Sequence, residues 1–350
     1  MPRTRLHVIP TSAPDDVSGL EALIEAKQID PGALVAILGK TEGNGCVNDF
    51  TRAFAIAALK GALGPKSEHI AMVMSGGTEG GLSPHLITFE RLEEDGPGPA
   101  LAIGTEVTGA LVPEELGTQA QIRVVAAGVE SAMARAGIAS SEEVHFVQVK
   151  CPLLTAERII ETEARGQRTE TRDTLKSMAL SRGASALGVA LALGEIDQST
   201  AEAAEIGKDP AIWSGRASCS AGSELMGHEI LVMGMSADWT GPLTIDHCVM
   251  ADTIDTGPVA QAMARLQIGQ GARLAALLAK AEASSTGAIR GTRHTMLDDS
   301  DISATRHARA FVGGALAGLT GQTDLFISGG AEHQGPDGGG PVAVIAERRL

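Results

Sequence analysis

Three times along this chain a short apolar run ends in a serine on a small-residue corner, with a glutamate four positions on. The copies are Ser75-Gly76-Gly77-Thr78-Glu79, Ser220-Ala221-Gly222-Ser223-Glu224 and Ser328-Gly329-Gly330-Ala331-Glu332. A serine on such a corner presents its hydroxyl and the next backbone N–H to a ligand with no bulky neighbour between. Upstream of each serine an apolar segment stops at a lysine: Ala33 to Lys40, Val144 to Lys150 and Ala272 to Lys280. Between lysine and serine an arginine opens a small-residue helical stretch, at Arg52, Arg182 and Arg309. Lysine and serine lie 35, 70 and 48 residues apart, so this is no short solenoid period but three divergent copies of one unit.

Each copy reads β-α-β-α-β-β, an α/β arrangement. First strands run Leu6 to Ile9, Ala100 to Ile103 and Leu243 to Ile245, followed by helices over Val17 to Ala26, Gly117 to Ala136 and Pro258 to Leu266. Asp15 or Asp16 could cap the first of these helices and Asp255 the third. After the serine strand, the unit ends on Leu86 to Phe89, Glu229 to Met233 or Val342 to Ala346. The segment ARLAALLAK (272–280) prefers helix on propensity, and only analogy with the other copies makes it a strand. The units span 1–98, 104–241 and 247–350, and the middle one carries polar excursions near Thr155 to Leu175 and Leu193 to Ser214.

Bulk composition narrows the function. A formal charge of −15 argues against nucleic acid or an anionic membrane, either of which needs a basic surface. Aromatic residues make up 2% of the chain and tyrosine is absent, so a planar ligand must be held at its edges. No apolar run is long enough to cross a bilayer and no secretory leader is present, which points to the cytoplasm. Cys46, Cys151, Cys219 and Cys248 stand singly, and neither a disulfide nor a structural zinc is expected. Arg290 to His294 is a basic run without a glycine-rich cradle, and reads as a polar loop.

A serine hydroxyl attacks well only when a base removes its proton, and lysine is that base only when neutral. Lysine ordinarily titrates near 10.4, so neutrality near pH 7 needs a depression of roughly 3 units, about 4 kcal/mol. Burial and like charge are the available causes, and converging lysines and arginines supply the like charge.

The segments GKTEGNGCVND (39–49), MSGGTEG (74–80), HFVQVKCPLLT (145–155), RGASALG (182–188), RHTMLDDSDI (293–302) and SGGAEHQGP (328–336) resemble the cyanuric acid hydrolase and barbiturase family across essentially the whole chain. It departs from common family wording at Gly81 and Ser223, which flank site motifs. The resemblance implies three homologous units around a pseudo-threefold axis, a central β-barrel surrounded by helices, and a homotetramer that opens a small cyclic ureide by hydrolysis. It makes Ser220 and Lys150 the catalytic pair. Lys40 with Ser75, and Lys280 with Ser328, would polarise the other ring carbonyls, with Gly76, Ala221 and Gly329 following the serines in the site. Arg52, Arg182 and Arg309 would bind substrate, with Arg306 a rival to Arg309. It also implies a structural Mg²⁺ or Ca²⁺ held by Glu282 with groups of Ala331, Gln334, Gly335, Pro336 and Gly339. Cyanuric acid repeats one carbonyl and N–H pattern on three edges, which suits a threefold set; barbituric acid is the nearest alternative. A non-catalytic binder of a threefold ligand is the reading from another class.

Overall fold

The first unit contains β1 (Pro2–Pro10), α1 (Ser18–Glu25), β2 (Leu34–Thr41), α2 (Phe50–Leu63), β3 (Ala71–Gly76) and β4 (His85–Glu93). The second contains β5 (Ala100–Val107), α3 (Gln119–Ala136), β6 (Val144–Pro152), α4 (Ala156–Ala164), α5 (Thr174–Ala192), α6 (Gln198–Ala203), β7 (Ala217–Gly222) and β8 (Glu229–Ser236). The third contains β9 (Leu243–Met250), α7 (Gly257–Arg265), β10 (Ala272–Ala281), a short hairpin of β11 (Ala288–Ile289) and β12 (Thr292–Arg293), α8 (Ala304–Thr320), β13 (Phe326–Gly329) and β14 (Gly340–Arg348). These elements belong to a computed structural model that describes residues 1–349.

Every unit builds the same four-stranded sheet, in the orders β1-β4-β2-β3, β5-β8-β6-β7 and β9-β14-β10-β13. The lysine strand runs parallel to the serine strand, and the remaining pairs are antiparallel. A β-bulge interrupts the lysine strand at one equivalent place in each copy, between Leu34 and Ala36, Val144 and Phe146, and Leu274 and Ala276. A shared irregularity of this kind is a strong mark of common ancestry among the units, because bulges persist as features of a family.

The sheets are covered on both faces, which is why their strands read as unbroken apolar runs. Ile37 faces the helices of the first unit while Leu38 faces the axis; Leu277 and Leu278 divide in the same way in the third. A central cluster takes Phe89, Phe146 and Phe326, one fully buried ring from each unit. Truncating such a ring costs about 3–5 kcal/mol, so the axis is a substantial core. The expected barrel, however, is not closed by hydrogen bonds: ladders stay within each sheet. Side chains of the next unit serve the edge strands instead. Glu229 accepts from Met72 N at 3.2 Å, and Gln334 accepts from Cys219 N at 2.5 Å.

Other expectations change in detail. ARLAALLAK is strand β10, since pairing with β13 and β14 outweighs its helical propensity. The arginines do not open their helices: α2 begins at Phe50, α5 at Thr174 and α8 at Ala304. Asp49 caps α2 by accepting from Thr51 N, and Asp16 accepts from Ser18 N at the start of α1. Asp255 caps nothing, because its carboxylate turns back to Ala251 N. The excursions of the middle unit contain α4, anchored by Ile159, and α6, flanked by Ile196 and Ala204 of a second small apolar cluster. Arg290 pairs with Asp252 and Arg293 with Asp298, so the basic run is neutralised locally. Among the described residues no helix is long and apolar enough to cross a membrane.

Candidate active site

Strand register brings lysine and serine together. In the parallel pairs Lys40 lies opposite Ser75, Lys150 opposite Ser220, and Lys280 opposite Ser328. All three lysines are fully buried, and each reaches into the next unit to take the carbonyl just before that unit's serine. Lys40 Nζ donates to Ile327 O at 2.7 Å, Lys150 to Met74 O at 2.8 Å, and Lys280 to Cys219 O at 2.8 Å. The ring of contacts closes after three steps. Each lysine thereby stiffens a neighbour's serine corner while satisfying an edge carbonyl that no strand covers.

Two of the three arginines bridge to another unit through the motif glutamates, to which the sequence reading gave no role. Arg309 of the third unit grips Glu79 of the first through two bonds of 2.9 and 2.7 Å, and Arg306 adds a third at 2.8 Å. Arg182 of the second unit grips Glu332 of the third at 2.7 and 2.6 Å. Such two-point pairs fix the guanidinium plane. Burial pushes the Glu79 and Glu332 carboxyls up, but their arginines outweigh it and both end below the ordinary value. Glycine is required where the guanidinium passes: a Cβ on Gly77 would stand 2.3 Å from Arg309, and one on Gly330 2.6 Å from Arg182, and both have positive φ.

The middle corner breaks the pattern. Lys40 and Lys280 each donate to their serine Oγ at 3.2 Å. Lys150 instead stands 2.9 Å from Glu224 Oε1, an ion pair without good hydrogen-bond alignment, and Ser220 Oγ is left with no partner. With Glu224 engaged, Arg52 donates to Ala221 O and Cys46 O, each at 2.8 Å. Ser220 is therefore the one motif serine whose buried hydroxyl is uncommitted.

Burial is the main force lowering all three lysines, ahead of the like charge that the sequence suggested. It takes Lys40 well below the ordinary lysine range, with Arg309 adding to the effect, and it brings Lys280 to about 7 with Arg182 adding. Lys150 is also lowered by burial, while Glu224 pulls the other way.

The three arginines and three serines line one small cavity, together with Gly76, Ala221, Gly329, Gly45 and Met178. The lysines do not line it but bond to its serines or to the carbonyls beside them. Arg309 lines this cavity; Arg306 lines only the adjoining one, which shares Gly45, Met178, Arg182, Arg309 and Gly329 with it. Gly45 and Met178 went unnoticed in the sequence. Met178 lies four residues before Arg182, one helical turn along the same face, a spacing that points to it. The arrangement can hold a planar ring by its edges, polarise carbonyl oxygens with guanidinium charge and offer a nucleophilic hydroxyl.

A second cavity is lined by Glu282, Ala331, Gly335 and Pro336, four of the expected cation ligands. Glu282 takes hydrogen bonds from Ala283 N at 3.0 Å and Thr305 Oγ1 at 3.3 Å, and burial together with Glu332 pushes its pKa up. A buried carboxylate facing another calls for a counter-charge, so this oxygen set fits a hard divalent cation. The Gln334 side chain is committed elsewhere, to Cys219 N, Gly330 O and Glu332 O, which leaves its backbone carbonyl. Gly339 does not line the cavity; its amide donates to Pro336 O at 2.9 Å.

Residues 5–347 match the family described as amidohydrolase ring-opening protein. The chain belongs to that family. It is 59% identical to a cyanuric acid amidohydrolase of Azorhizobium caulinodans over the full length of both chains. It is 60% identical to one of a Bradyrhizobium species, covering 99% of this chain and 98% of that one. The crystal structure of the cyanuric acid hydrolase from A. caulinodans superposes with a TM-score of 0.95 at 59% identity, covering 100% of both chains. The family accounts for the three-unit α/β fold and makes the chain an amidohydrolase.

Proposed function

We propose that this enzyme hydrolyses cyanuric acid, opening its s-triazine ring to carboxybiuret, which loses carbon dioxide to give biuret. The observation that carries the reading is the closed set of three serines and three arginines around one cavity, in a chain so similar to cyanuric acid amidohydrolases. Ser220 Oγ attacks a ring carbonyl carbon and Lys150, its register partner, receives the proton. Arg52, Arg182 and Arg309 carry the charge that develops on oxygen. The ring C–N bond then breaks, nitrogen takes the proton, and water releases the acyl group from Ser220. Ser75 and Ser328, tied to Lys40 and Lys280, hold the other two carbonyls. The uncommitted hydroxyl of Ser220 supports its choice as nucleophile.

A hard divalent cation belongs to the same reading, held by Glu282 and by carbonyls of Ala331, Gln334, Gly335 and Pro336, with charge balance as its contribution. Four unpaired cysteines support a cytoplasmic setting. Exposed Phe50, Phe54 and Phe311 support self-association, which we take to be tetrameric.

The test is kcat/KM for the two candidate rings. Barbituric acid replaces one ring N–H with carbon, leaving a buried acceptor unpaired at roughly 1–3 kcal/mol, so it should be turned over about 5-fold to 150-fold less efficiently. Equal or better turnover of barbituric acid refutes the substrate assignment. In the same assay Ser220→Ala should lose about 10⁴-fold or more in kcat, and Ser75→Ala much less; the reverse order refutes the nucleophile.

A further inference from the structure

About 16 Å down β6 from Lys150, at ~3.3 Å per residue, the bulge of the middle unit is occupied by His145. Bulges re-aim the residue they carry, and this one faces β9 of the third unit. His145 Nδ1 is 2.8 Å from His247 Nδ1 and 3.8 Å from Asp246 Oδ1. Three potential ligand atoms thus lie within 4.8 Å of one another across the seam between two units. Two ligands at roughly 2.0–2.1 Å from a tetrahedral metal are about 3.3 Å apart, and the observed 2.8 and 3.8 Å separations bracket that value.

The cluster is peculiar to this seam. By strand register the counterparts of His145 are Val35 and Ala275, and those of His247 are Val8 and Thr105. The carboxylate is also braced as a ligating aspartate should be. Arg265 Nε donates to Asp246 Oδ2 at 2.6 Å and Arg265 Nη2 to His247 O at 3.3 Å, while Asp246 Oδ1 accepts from His247 N at 2.7 Å and keeps its other lone pair for an ion. Arg216, the other nearby cation, is paired with Glu195 at 3.0 Å. All three residues are half-buried, so solvent can supply a fourth ligand.

We propose that His145, Asp246 and His247 form a binding site for a divalent transition-metal ion of the Zn²⁺ class, which fastens the second unit to the third at the end of the strands away from the serines. Imidazole ligands select such ions over Mg²⁺ and Ca²⁺, so the site is chemically separate from the oxygen set around Glu282.

The experiment strips the full-length protein with chelator, adds excess Mg²⁺, and titrates Zn²⁺ by calorimetry, with elemental analysis and Tm in parallel. One equivalent of Zn²⁺ should bind and raise the Tm. His247→Ala should weaken that binding by at least about 10–100-fold, the loss that even an outer partner causes, while Glu282→Gln should leave it intact. His145→Val places in this bulge the side chain that the first unit carries there, so it provides a folded variant if His247→Ala does not fold. Absence of stoichiometric Zn²⁺ binding, or equal affinity in wild type and His145→Val, would reduce the cluster to a histidine–histidine hydrogen bond and overturn the proposal.

Discussion

Glu79 and Glu332 each hold an arginine of another unit, whereas their counterpart Glu224 holds the lysine of its own. That single exchange goes with the loss of the lysine–serine hydrogen bond at Ser220, and it opposes the downward pull of burial on the Lys150 pKa. Removing the carboxylate charge must let burial act unopposed. In Glu224→Gln the Lys150 pKa falls, neutral lysine persists to lower pH, and the acid limb of the kcat/KM profile moves to lower pH. A limb that stays in place would show that Lys150 is not the base that titrates there. The sequence displays all three glutamates at a fixed distance from their serines. It does not display their partners, since Glu79 and Arg309 are 230 residues apart and meet only when the third unit folds against the first. The lysine–serine pairing was legible because parallel register within one unit fixes it. The difference at the middle corner was visible only as Ala221 in place of glycine.

At the scale of elements, the order of strands and helices follows from hydrophobic period and turn chemistry, and the sequence shows it in all three copies. ARLAALLAK is the instructive exception: isolated, its alanine and leucine content favours helix, yet long-range pairing on both sides makes it β10. Helix starts were misplaced around the arginines because small residues there mark close packing rather than an end. Gly330 shows how tightly element and site are coupled. It turns the chain at φ +78° directly under the Arg182 guanidinium. Gly330→Ala adds left-handed strain of about 1–2 kcal/mol and displaces Arg182, so kcat/KM should fall more than tenfold. Gly318→Ala, at an exposed position of α8 with nothing within 4 Å of the new methyl, should instead add up to about 1 kcal/mol of stability and leave turnover unchanged. Equal effects from the two changes would contradict the packing described for the corner.

Across the whole molecule, three open sheets behave as one body because each seam is bridged by buried polar groups from the neighbouring unit. Those bridges carry a dependence on pH. At the seam between the first and second units, Glu229 of β8 accepts from Met72 N of β3; its register-equivalents are His85 in the first unit and Pro341 in the third. Burial raises the Glu229 carboxyl to about 7, against an ordinary glutamate value of 4.5. A group raised on folding binds more protons in the native than in the unfolded state between those two values. Its contribution is therefore most favourable below about pH 4.5 and is lost as pH rises through about 7, up to roughly 3 kcal/mol in all. The groups facing it include Lys150, which favours the charged form, and Glu224, which opposes it. Glu229→Gln keeps an acceptor for Met72 N and removes the titration. Its Tm relative to wild type should consequently be higher at pH 8 than at pH 5, because only the wild type must hold a buried charge at the higher pH. A Tm difference that is the same at both values would show that Glu229 titrates as an ordinary carboxylate and that this seam is indifferent to pH.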